Sequence, residues 1–274
     1  MNVGSFTVLS LFDGLSGANI ALESLGYDFT YYASEIDPYC LTISNKNYPN
    51  IIQLGDVKQW KNWNLPKIDL LIGGSPCQGF SSAGNHLGFK DIRSKLLITF
   101  LKIKTVLQPT NYVLENVIMK QSNADLISKY LHKQPILINS SLVSAQSRKR
   151  NYWTNLKVAQ PIDKNILLKT IIESGTVDRD KARTIDANYY KGGSLEGLLY
   201  NKWADRPIRQ SERRLQVKED TDVYRKFTPL ECERLQTIPE GYTEGVPNKQ
   251  RYKMIGNSFT VEVIKHILKE IYNE

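Results

Sequence analysis

Short apolar runs alternate with helix-like segments through the first half of this 274-residue chain. The runs have the length and composition of buried strands, and the segments between them carry apolar residues at helical spacing. Strands that are each followed by a helix are typical of a parallel sheet with helices on both faces. We therefore predict an α/β fold with a doubly wound, mostly parallel sheet. The predicted strands are Phe6–Leu11, Thr30–Ser34, Ile51–Leu54, Asp69–Ile72, Tyr112–Leu114 and Ile136–Ile138, and the predicted helices are Gly17–Leu25, Pro38–Tyr48, Lys95–Leu107, Ser122–Leu131 and Phe259–Ile271.

The alternation stops after about Leu156. Between Pro161 and Pro247 the chain has short apolar pieces, dense charges and turn residues. This composition predicts a second, small and irregular domain over 158–249, with a larger domain formed by 1–157 plus 250–274. The charges of Arg206–Arg225 fit either a solvated face or contact with a nucleic-acid backbone. The final helix is expected to pack on the larger domain.

Composition narrows the class of protein. The net charge of +8 and the isoelectric point of about 9.2 are compatible with a polyanionic partner such as nucleic acid. No apolar run approaches the roughly 20 residues of a membrane span, and the first residues lack the layout of a signal peptide. Cys40, Cys77 and Cys232 are too widely spaced for a disulfide framework or a zinc pattern. These features predict a cytoplasmic protein without a bound metal.

The segment Gly73–Ser81 follows the apolar run Ile68–Ile72, so it begins where a buried strand ends. Binding loops of open α/β sheets lie at that edge of the sheet. Cys77, held after a proline in this loop, is therefore a candidate nucleophile. The alternative is a buried, unreactive cysteine, which is common in proteins.

Polar residues follow three other predicted strands. Phe12–Gly17 comes after the first strand and opens a helix, where free backbone N–H groups are available to a ligand. Glu35 ends the second strand, a position from which an acid accepts hydrogen bonds from ribose hydroxyls, and Asp56 follows the third. The alternatives are helix-terminal charges for Glu35 and Asp37 and a turn role for Asp56.

Three further segments carry candidate groups. Glu115 closes the fifth strand, where it is either a substrate-facing carboxylate or the cap of the helix that follows. The basic cluster Gln146–Asn151 enters an aromatic-rich strand and is either functional or a surface charge run. Gly256–Ser258 precedes the last helix, and Asn257 or Ser258 is also a candidate cap for it.

Taken together and in order, these segments resemble the conserved blocks of the DNA (cytosine-5) methyltransferases. Arg183–Tyr190 resembles the ninth block of that family, and Leu230–Gln236 resembles the segment that leads to the tenth. The resemblance covers nearly the whole chain. The other blocks are Phe12–Gly17, Ser34–Asp37, Gly55–Val57, Gly74–Gln78, Glu115–Val117, Gln146-x-Arg148-x-Arg150 and Gly256–Ser258.

The resemblance implies a Rossmann-like domain that binds S-adenosyl-L-methionine, with S-adenosyl-L-homocysteine as product, and a flipped-out cytosine as substrate. It implies Cys77 as nucleophile, Glu115 as the acid at cytosine N3, and Arg148 and Arg150 on the substrate side. The residues that it implies for the cofactor are Phe12, Leu15 and Gly17, Glu35 at the ribose, Asp56 at the adenine amine, Ile36 and Val57 as apolar walls, and Pro76, Leu96, Asn257 and Ser258 at the methionine end.

The implied partners are double-stranded DNA and a cognate restriction endonuclease, for an enzyme expected to act as a monomer away from membranes. The loop Phe80–Asp91 contains glycines and is predicted to close over the flipped base. Two alternatives stay open: a related enzyme acting on tRNA, and a silent homologue that only binds DNA or a partner. The presence of Cys77 together with Glu115, Arg148 and Arg150 argues against the silent homologue.

The chain departs from the family's pattern in two places. Only about Lys157–Lys181 lies between the arginine block and the ninth block, where family members usually carry their target-recognition region. Gly193–Arg225, after the ninth block, is comparatively long, and the two pieces are expected to form the small domain. A compact target-recognition domain makes few contacts to base edges, so we predict a short or relaxed recognition sequence. Asp13 and Ser16 also stand where small residues or glycine are common.

Overall fold

A computed structural model describes residues 6–75, 94–191, 217–219 and 224–272 of the chain. The chain divides into two compact units. Unit 1 comprises Met1–Asn139, Lys149–Pro161 and Val263–Glu274, and unit 2 comprises Ser140–Arg148 and Ile162–Glu262. Unit 2 therefore contains most of the small domain predicted over 158–249, and in addition the segments 140–148 and 250–262.

Unit 1 is built on a seven-stranded sheet. Its strands are β1 (Phe6–Leu11), β2 (Phe29–Ser34), β3 (Ile52–Gln53), β4 (Leu70–Gly74), β5 (Asn111–Val117), β6 (Ile136–Asn139) and β8 (Lys149–Thr154). Their order across the sheet is β3-β2-β1-β4-β5-β8-β6. β1 to β5 pair in parallel, and β8 is antiparallel to both β5 and β6. The prediction of a doubly wound, mostly parallel sheet is confirmed.

The helices follow from apolar faces and from terminal signals. α2 begins with Asp37 as N-cap and Pro38 in the first turn, a favoured position for proline. In α4 the buried residues Ala124, Ile127, Ser128 and Leu131 recur at helical spacing and form one face. The helices of the described chain are α1 (Gly17–Ser24), α2 (Pro38–Asn47), α3 (Ser94–Leu107), α4 (Gln121–Leu131), α5 (Pro229–Leu235), α6 (Asn248–Asn257) and α7 (Val261–Leu268). None of these helices is both long and apolar enough to cross a membrane.

The core of unit 1 lies between the sheet and its helices. Leu9, Leu71 and Leu114, from the central strands β1, β4 and β5, are fully buried together with Trp153 of β8. The Trp153 indole donates a hydrogen bond from Nε1 to the Ser128 hydroxyl at 3.0 Å, so its polar atom is satisfied inside the core. Burial on both faces explains why these strands read as continuous apolar runs in the sequence.

The end of the chain returns to unit 1, as predicted for the last helix. Ile264, Ile267 and Leu268 of α7 are fully buried, and a short 3₁₀ helix, Lys269–Tyr272, follows. The Tyr27 hydroxyl donates a hydrogen bond to the Leu268 carbonyl at 3.0 Å. The prediction that this segment packs on the larger domain is confirmed from Val263 onward.

Unit 2 has little regular structure in its described residues. Its strands are two-residue pairs: β7 (Gln146–Ser147) with β9 (Ala182–Arg183), and β10 (Val217–Lys218) with β11 (Tyr224–Arg225). No helix is predicted from the sequence in the regions of α5 and α6. The α6 sequence is strongly polar, which weakens its apolar periodicity.

A capping box starts α5. The Thr228 hydroxyl accepts a hydrogen bond from the Glu231 N–H at 3.1 Å, and Glu231 Oε2 accepts one from the Thr228 N–H at 2.8 Å. Glu231 is fully buried and also accepts a hydrogen bond from Arg225 at 2.8 Å. The helix thus depends on polar contacts at its first turn more than on an apolar stripe.

We expect Thr228→Ala to lower the free energy of unfolding by about 0.5–2 kcal/mol, because it removes the acceptor for the Glu231 N–H. Thermal and chemical denaturation measure the change. Thr42→Ala is the matched control, since the Thr42 hydroxyl only contacts the Pro38 carbonyl on the exposed face of α2. Equal stabilities of the two variants would contradict the role given to the capping box.

Candidate active site

The ends of five neighbouring strands meet at one edge of the sheet. Leu11 of β1 pairs with Ser34 of β2 and with Gly73 of β4. On the two outer sides, Ala33 pairs with Gln53, and Gly74 pairs with Glu115. The strand order reverses between β1 and β4, and ligands of open α/β sheets bind at the carboxyl edge beside such a reversal.

The loop after β1 is tightly bent. Phe12, Gly14 and Ser16 have φ angles of 58°, 59° and 56°, a region that residues other than glycine rarely adopt. The Asp13 N–H donates a hydrogen bond to the Ser34 carbonyl at 3.1 Å, which ties the loop to the end of β2. Phe12 is partly buried against the core, Leu15 is buried, and Gly17 is the first residue of α1.

Glu35 is bound by the backbone around it. Its Oε2 accepts a hydrogen bond from the Gly14 N–H at 2.8 Å. Its Oε1 accepts hydrogen bonds from the N–H groups of Ile36 at 2.7 Å and Asp37 at 2.8 Å. A carboxylate has about four acceptor positions, so these contacts leave one for an incoming hydroxyl. The helix-capping role falls to Asp37, which accepts a hydrogen bond from the Tyr39 N–H.

Asp56 and its neighbours form the next part of the edge. Asp56 caps the 3₁₀ helix Val57–Asn62, and its Oδ1 accepts a hydrogen bond from the Lys58 N–H at 2.9 Å. Its Oδ2 lies 4.0 Å from the Lys58 ammonium, and the side chain is 38% exposed. Of the two predicted apolar walls, Ile36 is 67% exposed, whereas Val57 is 5% exposed and packs in the core.

Glu115 lies within β5 and not at a helix terminus, so the alternative of a helix cap is wrong; α4 begins after Lys120. Glu115 Oε1 is 2.9 Å from Arg150 Nε, and the two side chains are only 12% and 14% exposed. Arg150 stands opposite Val117 on β8, so the pair is a diagonal contact between antiparallel strands. The guanidinium therefore fixes the carboxylate at the carboxyl edge.

Asn116 contributes a contact whose role the sequence analysis missed. It is 1% exposed, and its Nδ2 donates a hydrogen bond to the Ser75 hydroxyl at 3.0 Å. Its Oδ1 accepts a hydrogen bond from the Val117 N–H at 2.8 Å. Asn116 thereby links the end of β5 to the residue after β4. Its place beside Glu115 in the Glu-Asn-Val block was the available signal.

Arg148 and Arg150 belong to different units. Arg148 is 5% exposed in unit 2, so for this residue a surface charge run is excluded. Its guanidinium donates hydrogen bonds to three backbone carbonyls, those of Ile185 at 2.8 Å, Gly256 at 3.1 Å and Ser258 at 3.1 Å. The same turn approaches the ninth block closely, because a Cβ at Gly256 would lie 2.3 Å from the Asp186 carbonyl oxygen.

The remaining predicted residues are placed as follows. Asn257 ends α6 and Ser258 is its C-cap, so neither residue starts the last helix, which begins at Val261. Their place at the methionine end of the cofactor stays a prediction. Leu96 of α3 is partly buried against the core of unit 1. Pro76, Cys77, the loop Phe80–Asp91 and most of Gly193–Arg225 lie outside the described residues.

Comparisons with known proteins identify the class. At 17% identity and a TM-score of 0.73, the structure superposes on the methyltransferase EhMeth of Entamoeba histolytica over 98% of both chains. It also superposes on Spodoptera frugiperda DNMT2, with a TM-score of 0.69 at 21% identity, over 98% of this chain and 100% of that one. These are likenesses of fold, and the fold is the Rossmann-like methyltransferase fold that the sequence predicted.

The family follows from sequence. The family model for C-5 cytosine-specific DNA methylases matches residues 6–125 and 119–273. The chain is 26% identical over 303 residues to the Type II methyltransferase M1.ScrFI of Lactococcus lactis subsp. cremoris, covering 97% of this chain and 78% of that protein. It is equally similar to the Type II methyltransferase M.NlaX of Neisseria lactamica, covering 97% and 96%. The chain belongs to the C-5 cytosine-specific DNA methylase family and is a methyltransferase.

We expect Asn116→Ala to lower the free energy of unfolding by about 1–3 kcal/mol, because the Val117 N–H and the Ser75 hydroxyl would lose a buried partner. Methylation activity should fall further than stability explains, since Ser75 lies two residues before Cys77 in the sequence. Calorimetry and methyl transfer from labelled cofactor test both. Asn62→Ala, which removes an exposed contact to Gln59, is the control; an Asn116→Ala activity equal to that of this control would contradict the assignment.

Proposed function

We propose that this enzyme transfers a methyl group from S-adenosyl-L-methionine to carbon 5 of cytosine in double-stranded DNA through a covalent bond between Cys77 and carbon 6. The observation that carries the proposal is the buried Glu115–Arg150 pair. Glu115 is in register with Gly74, three residues before Cys77 in the sequence. This spacing supports a shared substrate for the acid and the nucleophile.

The groups at the other strand ends fit the cofactor. Glu35 has an acceptor position left for a ribose hydroxyl. Among the described residues the backbone donates to Oδ1 of Asp56, which leaves Oδ2, 4.0 Å from the Lys58 ammonium, for an adenine amine. The exposed side chain of Ile36 offers an apolar surface beside Glu35. We propose that Phe12, Leu15 and Gly17 border the same ligand through the bent loop, and that Pro76 and Leu96 lie towards its methionine end.

The chemistry requires an activated cytosine, because carbon 5 is too weak a nucleophile to take a methyl group unaided. The Cys77 thiolate adds to carbon 6, and the electrons of the 5,6 double bond move to carbon 5 while Glu115 supplies a proton to N3. When bound, S-adenosyl-L-methionine would supply an electrophilic methyl group to that carbon, and S-adenosyl-L-homocysteine would be the leaving group. A base then removes the proton from carbon 5, the thiolate leaves carbon 6, and N3 returns its proton to Glu115. No residue of the sequence is an obvious base for carbon 5, and an ordered water is an equal candidate.

The two arginines have separate roles in this proposal. Arg150 orients Glu115 through Oε1 and leaves Oε2 to face the base. A cation on this side of the site also favours electron flow towards the cytosine O2. Arg148 holds the turn at Gly256–Ser258 through backbone carbonyls. Its further placement on the substrate side, as the resemblance implies, is part of the proposal.

We expect wild-type protein to form a covalent adduct with a duplex that carries 5-fluorocytosine, because fluorine at carbon 5 cannot leave as a proton and the Cys77 bond persists. Cys77→Ser should form no adduct. Mobility under denaturing conditions and mass spectrometry of the adduct measure the result. Labelled methyl transfer to duplex DNA, compared with transfer to tRNA, is run in parallel and should occur on DNA.

Cys40→Ser is the matched control, because Cys40 is a buried cysteine of α2 and its loss should leave adduct formation intact. Cys232 is a second control, since burial raises the pKa of its thiol well above the usual value and keeps it inert. An adduct that still forms with Cys77→Ser would contradict the assignment of Cys77 as the nucleophile. Methylation of tRNA without any methylation of DNA would contradict the proposal that duplex DNA is the substrate.

Duplex DNA presents a geometric obstacle, because the target carbon lies inside the base stack. Extrusion of the base costs a few kcal/mol, which protein contacts must offset.

We infer that the small domain, 158–249, carries target recognition. The segment between the arginine block and the ninth block is short, and each good bidentate contact to a base provides only about 1–3 kcal/mol of discrimination. We therefore propose that a recognition domain of this size recognises a short or relaxed DNA sequence. The names of the Type II relatives support a role beside a cognate restriction endonuclease. We propose that the enzyme acts as a monomer in the cytoplasm.

We expect bisulfite sequencing of methylated random DNA to show a short or degenerate site. At each base pair of the site that receives no bidentate contact, a change of base should lower the rate of methylation by less than about tenfold. A strictly read site of about six or more base pairs would refute this prediction.

A further inference from the structure

Asp13 is a buried carboxylate in the loop after β1. It is 5% exposed, its Oδ2 accepts a hydrogen bond from the Ser16 hydroxyl at 2.6 Å, and its Oδ1 accepts one from the Tyr31 hydroxyl at 2.6 Å. Burial raises the pKa of Asp13, and the hydrogen bonds from its hydroxyl neighbours oppose that rise. A carboxylate is costly to bury, so its presence here requires a physical account.

The two hydrogen bonds end a longer chain of donors. Ser16 gives its single hydroxyl proton to Asp13, so the 2.8 Å contact between the Ser16 and Ser44 hydroxyls must be donated by Ser44. The Gln53 side-chain amide in turn donates to the Ser44 hydroxyl at 3.3 Å. The chain therefore runs from β3 through α2 to the loop, with every donor directed towards the Asp13 carboxylate.

The same loop holds a backbone conformation that its residues disfavour. Phe12 and Ser16 both have φ angles in the left-handed region, although neither is glycine. Only the surrounding contacts maintain such a conformation, and at Ser16 the side-chain contacts are those to Asp13 and to Ser44. This bend also presents the Gly14 N–H to Glu35 Oε2 at 2.8 Å.

We propose that Asp13 is a positioning residue for cofactor binding, which acts by holding the loop in the form that fixes Glu35. The proposal rests on the proposed function, since it assigns Glu35 to the ribose of the cofactor. Tyr31 lies in β2, four residues before Glu35, and its hydroxyl donates the hydrogen bond to Asp13. The same strand therefore positions Asp13 and, directly after its last residue, Glu35. Asp13 itself touches no reacting atom in this account.

The direct test is Tyr31→Phe, which removes one donor to Asp13 and keeps the aromatic ring. We expect the Kd for S-adenosyl-L-homocysteine to rise about tenfold, as loss of a hydrogen bond to a charged group predicts. The KM for S-adenosyl-L-methionine should rise by a similar factor, and kcat should stay within about twofold, because the chemical groups are untouched. Titration calorimetry and steady-state methylation measure these values.

Tyr48→Phe is the matched control, because it removes a hydroxyl-to-carboxylate hydrogen bond of 2.8 Å, to Glu23, away from this loop. It should leave both constants unchanged. Asp13→Asn should weaken binding by tenfold or more, because an amide has one acceptor oxygen for two hydroxyl donors. Should that variant fail to fold, Ser44→Ala interrupts the same chain at its middle and should raise the Kd without changing kcat.

A Kd for Tyr31→Phe equal to that of Tyr48→Phe, or a loss confined to kcat, would overturn the inference while leaving the proposed function in place. Wild-type protein that binds no S-adenosyl-L-homocysteine would overturn the proposed function and this inference with it. The binding measurement on wild-type protein therefore separates the two failures.

Discussion

Parallel pairing of β1 with β2 and β4 is the constraint on which the rest of the site depends. Because Leu11 stands opposite both Ser34 and Gly73, the loops that follow these strands begin at the same height along one edge. A shift of register by one residue would reverse the faces of a strand's side chains and would separate Gly14 from Glu35. The loop after β1, Glu35 and the end of β4 lie far apart in sequence and come together through this pairing.

Polar contacts then fix the individual groups at that edge. The Gly14 N–H holds Glu35, Arg150 holds Glu115, and Asn116 holds Ser75. The contact between Asn116 and Ser75 is buried and the other two are partly buried, so the loss of any of them leaves a shielded polar group without this partner. The site is therefore built by preorganised side chains on strand ends, which is the arrangement that transition-state stabilisation requires.

Much of this was accessible from the sequence. Apolar runs and terminal signals, such as Pro38 at the start of α2, predicted the unit 1 sheet and its helices. Local spacing did not reveal which partners hold each group, because the contact between Glu115 and Arg150 arises from antiparallel pairing of β5 with β8. The polar helix α6 lacked an apolar stripe, and the Thr-x-x-Glu signature of α5 was present but overlooked. Val57, predicted as an apolar wall of the site, is 5% exposed and packs in the core of unit 1, and its contact with the cofactor stays a prediction.

The central claim is that the carboxyl edge of the sheet binds the cofactor at Glu35 and Asp56, beside the place of the cytosine at Glu115. A crystal structure of the complex with S-adenosyl-L-homocysteine tests it most directly. The account predicts ligand density at this edge, with the ribose hydroxyls on Glu35 and the adenine amine on Asp56 Oδ2. Density at any other face of the protein, or a ligand whose ribose lies away from Glu35, would contradict it.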